Sequence, residues 1–224
     1  MSTRPTKKAA QPLAVETVSR RPQQGRSKAS LERMLEAAKG LMLELGSEDF
    51  TLLEVSKRGN VSIGSIYLRF ESKDNLVRAV IAKALEEISA EEDRMLEEVL
   101  RKSRRLDSFV PRYVEAYAEV LRTHAPLLRL SMQRAAFDPS VSGPGKEQAM
   151  KAESRATAAM LKYSDEFGGR RHSTKASSAY HVIFAALARE LSLGSTAESV
   201  QDYDWGTMKR ELGRMCLAYF KAEI

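Results

Sequence analysis

The chain has 224 residues, of which 43% are hydrophobic, so it is long enough for one or two domains with a substantial core. Its single cysteine, Cys216, excludes an internal disulfide framework. No apolar stretch is long enough to span a membrane, and no apolar region of the kind found in a secretory signal follows the basic N-terminus. Few Gly and Pro residues beside abundant Ala, Leu, Glu, Lys and Arg favour an all-α fold. We therefore expect a cytoplasmic helical protein.

The net charge of +6 is concentrated at the N-terminus. Residues 1–30 contain seven of the 36 Lys and Arg residues but only one of the 30 acidic residues, so the rest of the chain is balanced. A basic segment with Pro, Gln, Ser and Thr has little to bury and is typical of a flexible arm. Such an arm can contact phosphates or a minor groove, with Arg26 and Lys28 as candidate contacts. An ordinary solvated terminus is the alternative.

The first predicted helix has an apolar face in the stretch "SLERMLEAAKGLMLELG". Apolar residues recur every three or four positions between Leu31 and Leu45, as they do on one face of a helix. Ser30 is a candidate N-cap and Gly46 a candidate stop. A short second helix follows, which Thr51 can cap.

A tight turn and a third helix are predicted from "GNVSIGSIYLRFESK". Gly59 and Asn60 suit the turn, because both residue types tolerate a left-handed backbone. Ser62 is then the predicted N-cap of a short helix with Ile66 and Phe70 facing inward. A strand would mix apolar and polar side chains on one face, and the spacing of a phosphate-binding loop is missing. The three helices form a predicted helix-turn-helix domain.

From Met34 to Leu76 the sequence resembles the TetR family of bacterial transcriptional regulators. The matching residues are Met34-Leu35, Ala37-Ala38, Gly46, Thr51, Val55-Ser56, Gly59-Asn60-Val61-Ser62, Gly64-Ser65-Ile66-Tyr67, Arg69-Phe70, Ser72-Lys73 and Leu76. The departures from the family pattern are Ser56 and Gly59 in place of alanines, Asn60 in place of glycine, and Arg69 in place of an aromatic residue or histidine. All four are compatible with the fold.

The resemblance implies that the third helix enters the major groove of DNA. A hydroxyl on the rigid stem of Tyr67 suits a phosphate oxygen, and Gly64 would let the backbone approach DNA closely. Ile63 and Leu68 are apolar and suited to thymine methyl groups. The predicted DNA contacts are Arg26, Lys28, Thr51, Leu52, Ser62, Ile63, Gly64, Ser65, Tyr67, Leu68, Arg69 and Lys73. Core packing remains an alternative for Tyr67, and a solvated helix cap for Lys73.

The remaining sequence is predicted to be helical throughout. Ser72 can cap a long helix from Lys73 to about Arg105, another helix starts near Asp107, and Pro126 is predicted to begin a new one. The stretch "FDPSVSGPG" is predicted to be a loop because it is rich in helix breakers. About nine helices are expected in all, divided into an arm at 1–28, a DNA-binding domain at 29–76 and a larger helical domain at 77–224.

The resemblance implies two further functions for the larger domain, a small-molecule effector pocket and homodimerisation through the last two helices. Aromatic, Met and polar side chains suit such a pocket. The candidate pocket residues are Tyr113, Tyr117, His124, Met132, Arg134, Met160, Tyr163 and His181. The candidate dimer residues are Ala176, Ala179, Tyr180, Ile183, Leu187, Trp205, Met208, Leu212, Met215 and Tyr219. An ordinary monomer core is the alternative for both sets.

The sequence has none of the motifs that would indicate an enzyme, and its three His residues lack metal-ligand spacing. We therefore expect no catalysis, no cofactor and no metal. The predicted protein is a repressor that binds a palindromic operator in double-stranded DNA as a dimer and is released by a small hydrophobic effector. Two alternatives remain open: a DNA-binding protein without an effector, and a helical partner-binding module without a DNA function.

Overall fold

The computed structural model describes residues 25–194 and 204–224, and these ranges form eight α-helices and no strand. The all-α prediction is confirmed. The helices are α1 (Gly25–Leu45), α2 (Leu52–Arg58), α3 (Ile63–Arg69), α4 (Lys73–Lys102), α5 (Leu106–Ala135), α6 (Pro139–Leu161), α7 (His172–Glu190) and α8 (Trp205–Lys221), with a 3-10 turn at Ser164–Glu166. No helix in these ranges is long and apolar enough to cross a membrane. Residues 1–24 of the predicted arm lie outside the described residues.

The chain divides into two compact units. The first contains the described residues up to Ala84 together with Leu130–Lys146, and the second contains Leu85–Arg129 and Glu147–Ile224. The division between the two units falls within α4, which continues without a break and has its first turns buried in the first unit. The domain boundary expected at residue 76 stays a prediction.

The helix ends of the first unit follow from the capping residues that the sequence suggested. Thr51 forms a capping box with Glu54, and Ser62 accepts a hydrogen bond from the amide of Ser65. Gly46 ends α1 with a left-handed φ of 61°. The start of α1 was predicted wrongly, since it begins at Gly25 rather than after Ser30.

The turn between α2 and α3 needs its two residues for different reasons. Asn60 has a φ of 46°, in the left-handed region, as predicted. Gly59 has an ordinary φ of −81°, but a Cβ there would lie 3.0 Å from the backbone oxygen of Arg33. Gly59 is therefore required because α1 approaches closely, not because of its backbone conformation.

Two predicted breaks prove to be helical. Pro126 lies inside the continuous helix α5, and its neighbours Ala125 and Leu127 are both 3% exposed. The free energy gained by burying this part of the helix outweighs the loss of the backbone hydrogen bond that proline cannot donate. The predicted loop "FDPSVSGPG" contains the first turns of α6 instead. Asp138 caps that helix by accepting a hydrogen bond from the amide of Ser140, and Pro139 occupies its first position.

The core of the second unit is built from apolar faces of α5, α6, α7 and α8. Its fully buried residues include Phe109, Val114, Ala118, Met160, Ala176, Ile183, Leu187 and Phe220. The ammonium of Lys175, which is 2% exposed, donates to the backbone oxygens of Gly168, Phe220 and Ala222. This lysine therefore ties the end of α8 to the segment before α7.

Candidate nucleic-acid interface and ligand cleft

The outward face of α3 carries large apolar side chains. Ile63, Tyr67 and Leu68 are 38%, 58% and 69% exposed, while Ile66 and Phe70 on the opposite face are fully buried. The helix is therefore anchored by one face and presents the other to solvent. Exposed apolar groups clustered on one short helix are typical of a contact surface.

The N-terminus of α3 adds hydroxyl groups to this face. The hydroxyls of Ser62 and Ser65 lie 2.7 Å apart, and Ser62 is exposed. A Cβ added at Gly64 would meet no atom within 4 Å. Nothing in the described part of the chain thus requires glycine at this position, and the open space beside it is available to a binding partner.

Thr51 and Leu52 begin α2. The backbone amide and the hydroxyl of Thr51 both donate to the Glu54 carboxylate, at 2.6 and 2.8 Å, and they hold the pKa of that carboxyl below its usual range. Leu52 is half-buried. Thr51 therefore acts as a cap in this structure, and the predicted DNA contacts of both residues stay predictions.

Arg69 and Lys73 make contacts within the first unit. The guanidinium of Arg69 donates to the hydroxyl of Ser27 and, at 3.4 Å, to its backbone oxygen. Partial burial lowers the pKa of Arg69. The ammonium of Lys73 donates to the backbone oxygens of Glu48 and Phe50 at 2.7 and 3.2 Å. Both cations thus join segments of the helix-turn-helix domain, and a DNA contact would have to be additional.

Two of the predicted DNA contacts, Arg26 and Lys28, belong to the basic arm. Lys28 is exposed on the first turn of α1. The side chain of Arg26 lies outside the described residues.

At least four of the acids in this domain are held in ion pairs. Residues 31–76 contain eight acidic residues and six basic ones. Four of the acids are paired with cations of the same unit: Glu36 with Lys83, Glu44 with Arg58, and Glu48 and Asp74 with Arg134. Two of these cations, Lys83 and Arg134, come from beyond residue 76. The acidic balance of the segment therefore overstates the negative charge around it.

Arg134 is the centre of the largest charged cluster in the described part of the first unit. Its side chain is 7% exposed and bonds to Asp138 and Glu48 at 2.8 Å and to Asp74 at 3.0 Å. Asp138 is also paired with Arg78 at 2.8 Å. The cluster joins the end of α5 to the first turn of α4 and to the segment before α2, all within the first unit.

The second unit contains a cleft of about 240 Å³, a volume that includes space open to solvent. Three tyrosines, four other apolar side chains and two charged groups contribute to its walls. The lining residues are Glu92, Met95, Leu96, Tyr113, Tyr117, Ala152, Arg155, Ala156 and Tyr180. The Tyr113 and Tyr117 rings are stacked at 5.5 Å between centroids.

Only two of the predicted pocket residues, Tyr113 and Tyr117, line this cleft. The side chain of Arg134 belongs to the charged cluster of the first unit, and Met160 is 1% exposed in the core. The other predicted pocket residues are placed elsewhere. His124 pairs with Glu91, His181 is exposed beside Glu153, Tyr163 donates to the oxygen of Ser103, and Met132 is half-buried.

Sequence reasoning missed the charged groups of the cleft, Glu92 and Arg155. A signal was present, because Glu92 shares the helical spacing of Met95 and Leu96, and Arg155 that of the alanines in α6. An acid in the middle of an apolar helical face is the pattern to look for.

The predicted dimer residues divide into buried and accessible ones. Seven of the ten are at most 8% exposed within the chain: Ala176, Ala179, Tyr180, Ile183, Leu187, Met208 and Leu212. These side chains pack inside the unit and leave no surface for a partner. Trp205 and Tyr219 are half-buried, and Met215 is 64% exposed. An interface formed by α7 and α8 would therefore use their outward faces, where Val182 is 51% exposed.

Comparison with known proteins identifies the helix-turn-helix domain. Residues 34–80, from α1 into α4, match the family model described as bacterial regulatory proteins, tetR family. The helix-turn-helix segment is therefore similar to the TetR family. The resemblance noted in the sequence is thus confirmed, whereas curated protein sequences give no match.

Solved structures extend the TetR-like fold to most of the chain. A protein from Mesorhizobium loti MAFF303099, described as a TetR-family transcriptional regulator, covers 88% of this chain and 96% of its own, with a TM-score of 0.66 and 15% identity. A TerR/AcrR-family regulator from Aquifex aeolicus VF5 covers 85% and 99%, with a TM-score of 0.59 and 22% identity. A TetR transcription regulator from Haloarcula marismortui covers 86% and 97%, with a TM-score of 0.62 and 14% identity. At these identities the likeness establishes the fold of a TetR-family regulator.

Proposed function

We propose that the protein is a transcriptional regulator that places α3 in the major groove of operator DNA. The observation that carries this proposal is the exposed face of α3, which presents apolar and hydroxyl groups at the second helix of a TetR-family helix-turn-helix. The major groove, about 12 Å wide, admits one α-helix. The buried Ile66 and Phe70 hold α3 firmly enough to present that face in one orientation.

The chemistry of the exposed groups suggests their roles. The Tyr67 hydroxyl and the serine hydroxyls at the start of α3 donate to phosphate oxygens, which fixes the position of the helix on the duplex. Ile63 and Leu68 face the base edges, where apolar side chains favour thymine methyl groups. Gly64 gives the backbone room to approach DNA.

Recognition of a palindrome requires two copies of the chain. Two α3 helices related by a two-fold axis would reach half-sites about 34 Å apart, or a little more. We assign dimerisation to the outward faces of α7 and α8, because each helix has an exposed apolar side chain there, Val182 on α7 and Met215 on α8. The dimer binds the operator and represses transcription.

The cleft of the second unit is the proposed effector site. It combines apolar walls with a few polar groups, as ligand sites do. An effector that binds the DNA-free conformation better than the DNA-bound one would release the operator. The alternative function is DNA binding without any effector, and it uses the same DNA-binding face of α3.

Binding to DNA is tested by fluorescence anisotropy with labelled fragments from upstream of the protein's own gene. Tyr67→Phe removes only a hydroxyl, and losing a hydrogen bond to a charged phosphate should weaken binding by about ten- to one-hundredfold. The matched control is Tyr163→Phe, which removes a hydroxyl that bonds to Ser103 in the second unit. Equal affinities of the wild type and both variants would refute the assigned role, and failure of the wild type to bind any fragment at low salt would refute the function.

Release by an effector is tested separately. A ligand that raises the melting temperature should also lower DNA affinity, and by linkage DNA should lower the affinity for the ligand by the same factor. A ligand that stabilises the protein without changing DNA affinity would favour the regulator without an effector.

A further inference from the structure

The cleft of the second unit contains an acid in an unusual setting. Glu92 has a side chain only 14% exposed and lies among Tyr113, Tyr117 and Tyr180, which are all at most 6% exposed. Burying a carboxylate costs free energy unless a cation or several hydrogen bonds compensate for it. The way in which this acid is compensated therefore indicates what else can bind there.

The available cation is engaged mainly with another acid. Arg155 pairs with Asp93 at 2.5 Å and donates to the Ser89 hydroxyl at 3.2 Å, while its distance to Glu92 is 3.4 Å. Asp93 is 49% exposed and Glu92 is 14% exposed, so the better pairing goes to the acid that needs it less. Glu92 is left with weak compensation inside the cleft.

The balance of charges around Glu92 agrees with this geometry. Its titratable neighbours are Asp93 on its own helix, Arg155 on α6, Tyr113 and Tyr117 on α5, and Tyr180 on α7. Burial raises the pKa of Glu92 to about 7, and the Arg155 charge offsets only part of that effect. The tyrosine pKa values are raised too, mainly by burial and further by the Glu92 charge, so these groups stay neutral at physiological pH.

The geometry points to a small organic cation as the ligand of this cleft, with its positive charge against Glu92 and its apolar part against the tyrosine rings. This inference rests on the proposed function, since it names the chemical class of the effector. Aromatic rings attract cations through their π faces, most strongly where water is excluded. The volume of about 240 Å³ includes space open to solvent, and the enclosed part is much smaller, which limits the ligand to a small molecule.

An anionic ligand fits the same cleft poorly. Its charge would lie beside two carboxylates, Glu92 and Asp93, and it would have to compete with Asp93 for the guanidinium of Arg155. A neutral apolar ligand would leave Glu92 buried and uncompensated. A cation supplies the missing charge, and it favours the ionised form of Glu92, so its affinity rises with pH through the region near pH 7.

Isothermal titration calorimetry with three probes of similar size tests the inference. The probes are benzyltrimethylammonium, its neutral carbon isostere neopentylbenzene, and the anion benzenesulfonate. At about pH 8 the cation should bind about tenfold or more tightly than either other probe, and this advantage should shrink at about pH 6. Glu92→Gln should abolish the advantage and its pH dependence. Glu91→Gln, a neighbouring acid paired with His124 outside the cleft, should leave both unchanged.

Several outcomes would overturn the inference. They are equal binding of the cation and the neutral isostere, preference for the anion, no saturable binding of the cation, or an unchanged cation advantage in Glu92→Gln. DNA affinity is measured on the same preparations to separate the two proposals. A protein that binds DNA but shows no preference for the cation contradicts only the ligand class. A protein that binds the cation but no DNA contradicts the proposed function.

Discussion

Replacing Arg134 with methionine removes a buried guanidinium but keeps a long, flexible side chain. The variant loses three ion pairs, to Glu48, Asp74 and Asp138. The partners differ in burial: the side chains of Glu48 and Asp74 are 23% and 56% exposed, whereas Asp138 is 3% exposed. The pair with the buried Asp138 should therefore contribute most to the free energy of unfolding, and the pair with the exposed Asp74 least.

The expected loss follows from these environments. The pairs with Glu48 and Asp74 contribute about 0.2–1 kcal/mol each, as partly exposed pairs do. Removing one partner of a buried pair costs about 3–5 kcal/mol, but Asp138 keeps Arg78 at 2.8 Å and the amide of Ser140. We therefore take a value below that range for this pair and expect a total loss of about 3 kcal/mol.

Urea unfolding followed by far-ultraviolet circular dichroism measures the change. The control is Arg101→Met, since Arg101 is 70% exposed and lies 3.5 Å from Glu98, so its loss should stay within about 0.5 kcal/mol. Arg134→Lys should lie between the wild type and Arg134→Met, because an ammonium keeps the charge but cannot reach all three acids as a planar fork does. A loss below about 1 kcal/mol in Arg134→Met, or equal losses in the variant and the control, would refute this reasoning.

Two more predictions concern titrating groups of the second unit. The pKa of Glu92 is about 7 in the folded chain and near 4.5 otherwise, so wild-type stability should fall as pH rises from about 4.5 to about 7. Glu92→Gln should therefore be roughly 2–3 kcal/mol more stable than the wild type at about pH 8 and equal to it at about pH 4. A stability difference from urea unfolding that is the same at both pH values would contradict this. Burial raises the pKa of the Cys216 thiol to about 11, so iodoacetamide should label it only in unfolded protein. Rapid labelling of the native chain would show that the thiol is accessible.

The helix-turn-helix could be predicted from sequence because its signals are local. Thr51 and Ser62 cap the helices they precede, and the buried Ile66 and Phe70 are four positions apart, as residues on one face of a helix are. Each signal depends on neighbours within a few positions. Local rules therefore suffice for the elements and the turn of this domain.

The contacts of Arg69 and Lys73 could not be predicted in the same way. Ser27 lies 42 positions before Arg69, and Glu48 lies 25 positions before Lys73. Sequence pattern shows that a residue is charged and where it lies on its helix, but not which distant backbone oxygen it reaches. The sequence therefore predicts a DNA contact for Arg69 on α3, although its side chain also bonds to Ser27 within the domain.

The limits of prediction from sequence are clearest for the second unit. Its last two helices were correctly expected to have apolar faces, but those faces, including Ile183 and Leu187, are the core of the unit itself. Periodicity identifies a buried face without showing whether the same chain or a second copy covers it. The Glu92 cleft depends on α4, α5, α6 and α7 meeting, which no single stretch of sequence reveals.

The central claim, that α3 approaches DNA closely, is tested most directly by comparing the DNA affinity of Gly64→Ala with that of Gly145→Ala. Neither new Cβ would meet an atom of residues 25–194 or 204–224 within 4 Å, and both changes place alanine in a helix, where it is favoured over glycine by up to about 1 kcal/mol. Both variants should thus be at least as stable as the wild type. We predict that Gly64→Ala weakens operator binding by about tenfold or more, because the methyl group occupies the space between backbone and DNA, while Gly145→Ala binds normally. Equal affinity of the two variants for the operator would contradict the account.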